Sequence, residues 1–388
     1  MRSIAGAHSV LMIHTAAPAW IAPYITDYEQ AEASEEEPVV EAARRLAGRH
    51  RVDGILAYDE FSVEPAARAA ADLGLKQNSP ESVRRCRDKY LMRLTWQRAG
   101  VPSARCRRVS SLVEAEAVAQ SIGFPVVVKP QRMAASLGVV RADDPEGLAR
   151  AYETATDIAR LLNQPQVILV EEFLNGPEFS VESLVYGGTV HTVAVTRKEV
   201  GCAPYFEETG HAVSPAESVP SEAEVLATVV SAHAALGITT GATHAEVKLT
   251  ASGPRMIELG ARLGGDLIPH LVQLATGVDM ARAAADMAAG LNPLPLAPTR
   301  RQAAAIRFFY PRVDVQVNGL AASPAARSVP GLERLVWQAR IGSKLRLPPR
   351  DFVSRLGFAV VTGSSVAECC HRLDLVEASL EMDLAPLP

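Results

Sequence analysis

The feature that most restricts this chain is a pair of stretches close together in sequence, His244-Ala-Glu-Val-Lys-Leu-Thr250 and Gly253-Pro-Arg-Met-Ile-Glu-Leu-Gly-Ala-Arg-Leu-Gly-Gly265. Their apolar alternation predicts adjacent strands joined by a Ser-Gly-Pro turn, which brings Glu246 and Glu258 side by side on faces otherwise patterned apolar. Two buried carboxylates repel each other unless a cation lies between them. Mg²⁺ held by one or two carboxylates together with nucleotide phosphates meets that demand. Arg262, four residues beyond Glu258, is then placed to offset charge on a transferred phosphoryl group. The plainer alternative is two Glu-Arg pairs at the surface, and the flanking glycines and apolar residues count against it.

Two lysines lie in separate segments. Lys89 follows Arg87-Asp88 in a predicted helix, whereas Lys129 ends the apolar strand Pro125-Val-Val-Val-Lys129. A lysine ending a buried strand must meet an anion or reach a polar cavity, because burying it unpaired costs several kcal/mol. For either lysine alone an ordinary salt bridge is the preferred reading. The segment Gln131-Arg-Met-Ala-Ala-Ser-Leu-Gly-Val139 comes next, and its small residues let backbone N–H groups approach an anion. It matches neither a G-x-G-x-x-G nor a Walker A pattern, and a plain hairpin is its alternative. Val170-Glu-Glu-Phe-Leu-Asn-Gly-Pro-Glu-Phe-Ser-Val-Glu182 is an apolar strand, a turn and an alternating strand with four glutamates. Such acceptors suit an adenine amino group and two ribose hydroxyls, with exposed strand-edge charge as the alternative.

Along the chain, the first segment alternates strand and helix as a parallel sheet requires. Val10–Ile13 and Gly54–Tyr58 are predicted strands; Val39–Arg49 and Val63–Leu73 are predicted helices; Asn78-Ser-Pro-Glu81 is a helix cap. After Gly100-Val-Pro102 the pattern restarts with a strand, a helix over Ser111–Ile122 and the strand ending at Lys129. Strands follow at Gln166–Glu172, Glu178–Tyr186 and Thr189–Lys198, then a helix at Ser221–Leu236 and strands at Thr243–Thr250 and Arg255–Leu259. Three prolines in Leu291-Asn-Pro-Leu-Pro-Leu-Ala-Pro298 mark a boundary. Beyond it a small α+β unit has strands at Ala303–Tyr310, Arg334–Ala339 and Gly357–Thr362 and a final helix over Ser365–Glu381. No short tandem repeat is evident.

At 388 residues the chain is long enough for two to four packed units. A net charge of -5 argues against a generic nucleic-acid surface. The odd count of cysteines (Cys86, Cys106, Cys202, Cys369, Cys370) has no C-x-x-C pairing and suits free thiols in a reducing cytosol. The opening stretch Ser3–Tyr24 lacks Asp, Glu, Lys and Arg, so a signal peptide with Arg2 as its basic end is the alternative to a strand entering a loop. Two histidines and two prolines favour the strand. No uncharged apolar run reaches the roughly 20 residues of a membrane span.

The order Asp88-Lys89, Val-Val-Lys129-Pro, Ser136-Leu-Gly138, Glu171-Glu-Phe-Leu174, Glu178, Glu246, Glu258 and Arg262 resembles the ATP-grasp superfamily over roughly residues 50–290. More narrowly, Glu208-Thr-Gly-His211, His244-Ala-Glu246 and Glu-Leu-Gly-Ala-Arg-Leu-Gly-Gly-Asp266 resemble the L-amino acid ligases, and Ala303–Glu381 resembles their extra C-terminal domain. The resemblance implies an α/β and α+β multidomain chain. Its parts are an N-terminal Rossmann-like domain over 1–88, an ATP-grasp domain over 89–295 with subdomains at about 103–172 and 173–295, and a small C-terminal α+β domain over 296–388. It also implies ATP and Mg²⁺ or Mn²⁺ as cofactors, small carboxylate and amine substrates, no nucleic acid and no membrane partner, a cytoplasmic location, and allows a homodimer.

By the same resemblance Lys89 and Lys129 contact the phosphates, and Ser136 to Gly138 lie in a mobile flap. Glu171, Glu172, Phe173 and Leu174 line the adenine pocket, and Glu178 binds ribose. Glu246 and Glu258 hold the metal, Arg262 is catalytic, and Glu208, His211 and His244 contact substrate. The chain departs from the family in carrying Gly260 where many relatives have a metal-binding Asn, a place that water can take. It is also shorter by about one strand–helix unit in its N-terminal domain, so a truncated start is among the expectations.

The implied reaction is attack of a carboxylate on the γ-phosphate, giving ADP and an acyl phosphate, and then displacement of phosphate by an amine. His211 or His244 is a candidate acceptor for the amine's proton, with a structurally satisfied histidine as the alternative for each. The competing readings are a purine-pathway or carboxyphosphate-forming enzyme of the same superfamily, a non-catalytic nucleotide-binding regulator, and a structural partner protein.

Overall fold

The computed structural model describes residues 1–16 and 19–387; Ala17 and Pro18, inside the uncharged opening stretch, and Pro388 lie outside the described residues. Among the described residues the strands form four sheets, of two, four, eight and three strands. No helix among these residues is long and apolar enough to cross a membrane.

The first sheet pairs Leu11–His14 in parallel with Asp27–Gln30. Helices Glu36–Arg49 and Val63–Asp72 bury Val39, Val40, Ala43 and Ala69 against Ile13, Ile55 and Leu73. Gly54–Tyr58 corrects the expected second strand, because it joins no ladder. The true partner, Asp27–Gln30, lacks an apolar alternation, since its acids are used in ion pairs: Glu29 with Arg45 at 2.7 Å and Asp27 with Arg49 at 3.0 Å. Segment 54–58 is instead fixed by Gln77 Nε2 donating to the Ile55 carbonyl at 2.6 Å. It also passes so close to helix Met280–Ala288 that a Cβ on Gly54 would stand 1.9 Å from the Ala288 oxygen.

The four-stranded sheet runs in the order Cys106–Val109, Ile168–Glu172, Val126–Pro130, Val140–Ala142, antiparallel throughout. Helices Leu112–Ile122 and Pro145–Leu161 cover it with alanines and Leu148. Both start on a side-chain cap, Ser111 accepting from the Glu114 N–H and Asp144 from the Gly147 N–H.

The eight-stranded antiparallel sheet is ordered Gly253–Gly260, Thr240–Thr250, Glu178–Tyr186, Thr189–Gly201, Glu207–Val213, Ala303–Phe309, Gly357–Gly363, Leu332–Trp337. It runs without a break past the proline-rich boundary, because His211 pairs with Ile306. On one face it buries Trp96, Leu236, Leu259 and Met256, each such side chain contributing about 1.5–3 kcal/mol. Glu207–Val213 and the helices Ile268–Thr276 and Met280–Ala288 were not among the expected elements.

The chain's end also corrects an expectation. The last helix spans Val366–Ala378, and Leu380–Pro386 is a strand paired with Val315–Ala322, not a continuation of that helix. The apolar residues Leu380, Met382 and Leu384 recur with the period of a strand, which cannot keep them on one helical face.

Candidate active site

The four-stranded sheet, the hairpin of the large sheet and the loops after segment 54–58 enclose a cavity of about 430 Å³. All the sequence-predicted site residues except Gly138 and His211 line it. Gly138, with φ at 72°, sits in the turn behind the flap, where a Cβ would press on Pro130 at 3.1 Å. His211 lies behind the wall, 1% exposed.

At one end are the two lysines. Lys89 begins helix Lys89–Arg98 just after Asp88, which caps that helix by accepting from the Tyr90 and Leu91 N–H groups. Its ammonium donates to the Met133 carbonyl at 2.5 Å and reaches Glu258 at 3.1 Å. Lys129 contacts Glu171 at 2.6 Å, and Arg93 meets the same carboxylate at 3.0 Å. Burial pushes the Glu171 carboxyl up, but Arg93 and Lys129 outweigh it and hold the group at about 2. Burial, with Arg93 and Lys89 nearby, draws the Lys129 ammonium below its ordinary value despite Glu171. Above them Ala135 and Ser136 adopt left-handed backbone, with φ of 53° and 56°, so the flap is a tight turn.

The strand Ile168–Glu172 and the residues after it form the next wall. Glu172 pairs with Arg105 at 3.2 Å, and Leu174 is buried. Phe173 lies between the Arg141 guanidinium, 4.4 Å from its centroid, and the Lys248 ammonium at 5.5 Å. Lys248 also stands 3.6 Å from Glu178.

Glu246 and Glu258 are direct partners in the hairpin, and a bulge after Glu246 sets Val247 opposite Met256. Glu246 receives Lys198 at 2.5 Å and His244 Nε2 at 3.3 Å. His244 Nδ1 in turn meets Glu182, a fully buried carboxylate, at 2.9 Å. Gly264 packs beside this pair, where a Cβ would come within 3.0 Å of both side chains. Burial works to lower the His244 imidazole, but Glu182 and Glu246 push it up to about 10. The ring thus bridges Glu182 and Glu246 and links the buried carboxylate to the one that faces the cavity.

The far end gathers Glu208, His211 and Asp266, whose ligand atoms lie within 4.8 Å of one another. Four residues that no sequence signal singled out, Glu207, Tyr310, Val353 and Arg355, complete it. Arg355 grips Asp266 with two bonds of 2.7 Å and stacks 3.5 Å over Phe308. Tyr310 donates to Glu207 at 2.9 Å, and the Val353 N–H donates to the same carboxylate at 3.0 Å. Burial tends to lower His211, which Asp266 and Glu208 more than offset, so it too is raised.

Arg262 is held by Glu60, Nε to Oε2 at 2.5 Å, with Arg87 3.9 Å from the other Glu60 oxygen. Glu60 is 5% exposed and comes from the loop after segment 54–58, far from Arg262 in sequence. Near Gly260, the place of the missing Asn side chain, a Cβ would touch Glu60 and Arg262 at 3.5 Å.

The donors fit a divalent ion. Two carboxylates on paired residues face one cavity, and among the described residues none donates a hydrogen bond to the second Glu246 oxygen.

Residues 122–270 match the family model described as ATP-grasp domain. Alanine–anticapsin ligase of Bacillus subtilis is 30% identical over 274 residues, which cover 65% of this chain and 57% of that protein. Human carnosine synthase 1 is 26% identical over 268 residues, covering 65% of this chain and 32% of its own length. The chain thus spans little more than half of the first relative and about a third of the second. The crystal structure of an L-amino acid ligase from Bacillus licheniformis superposes with a TM-score of 0.79 at 24% identity, covering 93% of this chain and 88% of that one.

Proposed function

We propose, from the premise that this chain is built on the ATP-grasp fold and carries an ATP-grasp domain at residues 122–270, that it is an ATP-dependent carboxylate–amine ligase joining an amino acid to an amine or a second amino acid. The observation that carries the reading is the facing pair Glu246 and Glu258 in one cavity with Lys89, Lys129 and Arg262.

In this reading Lys89 and Lys129 bind the triphosphate, and the flap over 134–139 closes above it to keep water away from a reactive acyl phosphate. The wall from Glu171 to Leu174 takes the adenine through backbone and Phe173 contacts, and Glu178 accepts from the ribose hydroxyls. Glu246 and Glu258 would hold Mg²⁺ or Mn²⁺, which supplies positive charge to the phosphates when bound. Arg262, aimed by Glu60, offsets charge on the phosphoryl group as the substrate carboxylate attacks it, and then on the tetrahedral species formed when the amine attacks the acyl carbon. Glu208, Asp266 and His211 form the end where an amino acid's ammonium and carboxylate are both recognised. His244, held between Glu182 and Glu246, orients Glu246.

The free thiols suit a reducing compartment, and the cytoplasm is the location proposed. The test is a screen of amino acid pairs for ATP-dependent phosphate release with mass spectrometry of the products. A dipeptide or amide formed with ADP supports the reading. Release that requires bicarbonate or formate assigns the chain to carboxyphosphate or formyl chemistry, and nucleotide binding without release under any pair assigns it to a regulator.

A further inference from the structure

The strand Thr189–Gly201 sends one more charge toward the cavity. Ala194, Thr196 and Lys198 share a face by strand alternation, and the first two are buried. The Lys198 side chain is 2% exposed, behind the cavity wall. Its ammonium meets Glu178 at 3.1 Å, Glu208 at 3.0 Å and Glu246 at 2.5 Å. These carboxylates come from three different strands, Glu178–Tyr186, Glu207–Val213 and Thr240–Thr250. All three line the cavity.

An ammonium has three donors, so it can give one to each acid. A planar guanidinium presents its donors in a fixed fork and cannot reproduce that pyramid. Other partners are shared out around the rim: Glu178 also has Lys248, Glu208 has His211, and Glu246 has His244. Among the described residues only Lys198 touches all three. Three converging carboxylates without such a centre would repel one another or collect a cation from solution.

We propose that Lys198 is a positioning residue, a cation tethered to the scaffold that sets the spacing of Glu178, Glu208 and Glu246 and occupies the place a second divalent ion would otherwise take. With the ligase reading, which supplies the names of the three ends and on which this part rests, one ammonium fixes the distances between the nucleoside, phosphate and acceptor ends. The ion-pair geometry itself does not depend on that reading.

The experiment compares Lys198→Met and Lys198→Arg with the full-length wild-type chain. Mn²⁺ is titrated without nucleotide, bound ion is counted by electron paramagnetic resonance, and melting temperature is followed in the same samples. Lys198→Met is expected to gain a Mn²⁺ site at least about 10-fold tighter than any in the wild type, to melt higher as Mn²⁺ is added, and to show a raised KM for ATP. Lys198→Arg, which keeps the charge, is expected to gain no site. If Lys198→Met folds only when Mn²⁺ is present, that supports the proposal as well. The double variant Lys198→Met/Glu208→Gln removes one acid along with the cation, so a folded sample is available. It is expected to hold the gained ion more weakly than the single variant. Wild-type-like Mn²⁺ binding by Lys198→Met, or by the double variant should the single one not fold even with Mn²⁺, overturns the proposal. Failure of the ligase reading registers elsewhere, as no phosphate release by the wild type with any substrate pair, and leaves the Mn²⁺ result standing.

Discussion

Glu246 and Glu258 oppose each other across one hairpin, yet each answers to a different ammonium, Lys198 at 2.5 Å and Lys89 at 3.1 Å. Two acids that would repel are kept side by side by cations from separate parts of the chain. One lysine lies in the same eight-stranded sheet, two strands from the hairpin, and the other at a helix start next to the flap. Neutralising one acid therefore disturbs more than its own contacts. Glu258→Gln and Arg262→Ala are each expected to lower ATP-dependent phosphate release by about 100-fold or more. Steady-state rates with circular dichroism on the same samples check this, and near-normal turnover by a folded variant would remove that residue from its role.

Glu60 lines the cavity and holds Arg262 there. Glu60→Gln keeps the shape but loses the charge that aims the guanidinium. A drop in kcat of about 10-fold or more with little change in KM for ATP is expected, as for other groups that orient a catalytic side chain. An equal rise in KM for ATP would mean that Glu60 serves nucleotide binding instead.

Arg355 links the C-terminal strands to the acceptor end through two bonds to Asp266. Arg355→Ala frees Asp266 and removes the stack on Phe308, so the KM for the amino acid substrates is expected to rise by about 10-fold, ~1.4 kcal/mol. ATP affinity, measured by calorimetry, should stay close to that of the wild type. A selective loss of ATP affinity would refute the division of the cavity into ends.

The buried set Arg93, Lys129 and Glu171 predicts how stability depends on pH. The Glu171 carboxyl sits at about 2 in the fold against 4.5 in the free side chain. A depressed folded value means that its contribution is complete above about pH 4.5 and is lost as pH falls toward 2. Denaturant midpoints recorded between pH 3 and 7 should show this decline in the wild type. Glu171→Gln leaves two buried cations unmatched, so it should cost about 3–5 kcal/mol near neutrality and flatten the acid-side slope. An unchanged slope would show that the acid sensitivity comes from other groups.

Much of the two larger sheets was legible from local pattern. The strands Glu178–Tyr186 and Thr240–Thr250 and the helix Glu222–Leu236 carry apolar periods long enough to fix their type. The acid pair was legible because a hairpin turn sets register, and register sets which side chains meet. Asp27–Gln30 escaped because its side chains are spent on ion pairs with the helix behind it. The expected last helix runs on to Glu381, two residues into the strand Leu380–Pro386, because the change from a 3.6 to a 2 period falls within a few residues. Glu60, Lys198, Tyr310 and Arg355 have no motif of their own. Lys198 alone left a trace, a cation on the buried face of an alternating strand.

The chain by itself determined its long periodic elements, such as Glu178–Tyr186, Glu222–Leu236 and Thr240–Thr250, which acids share a hairpin, and where Lys89, Lys129 and Arg262 stand in order, since these depend on neighbours a few residues apart. Only the tertiary structure decided which charge answers which. Glu60 reaches Arg262 and Arg355 reaches Asp266 across long stretches of sequence, while Lys198 meets acids from three strands. An ion pair is set by distance and burial in space, and neither quantity is written in the spacing of residues along a chain.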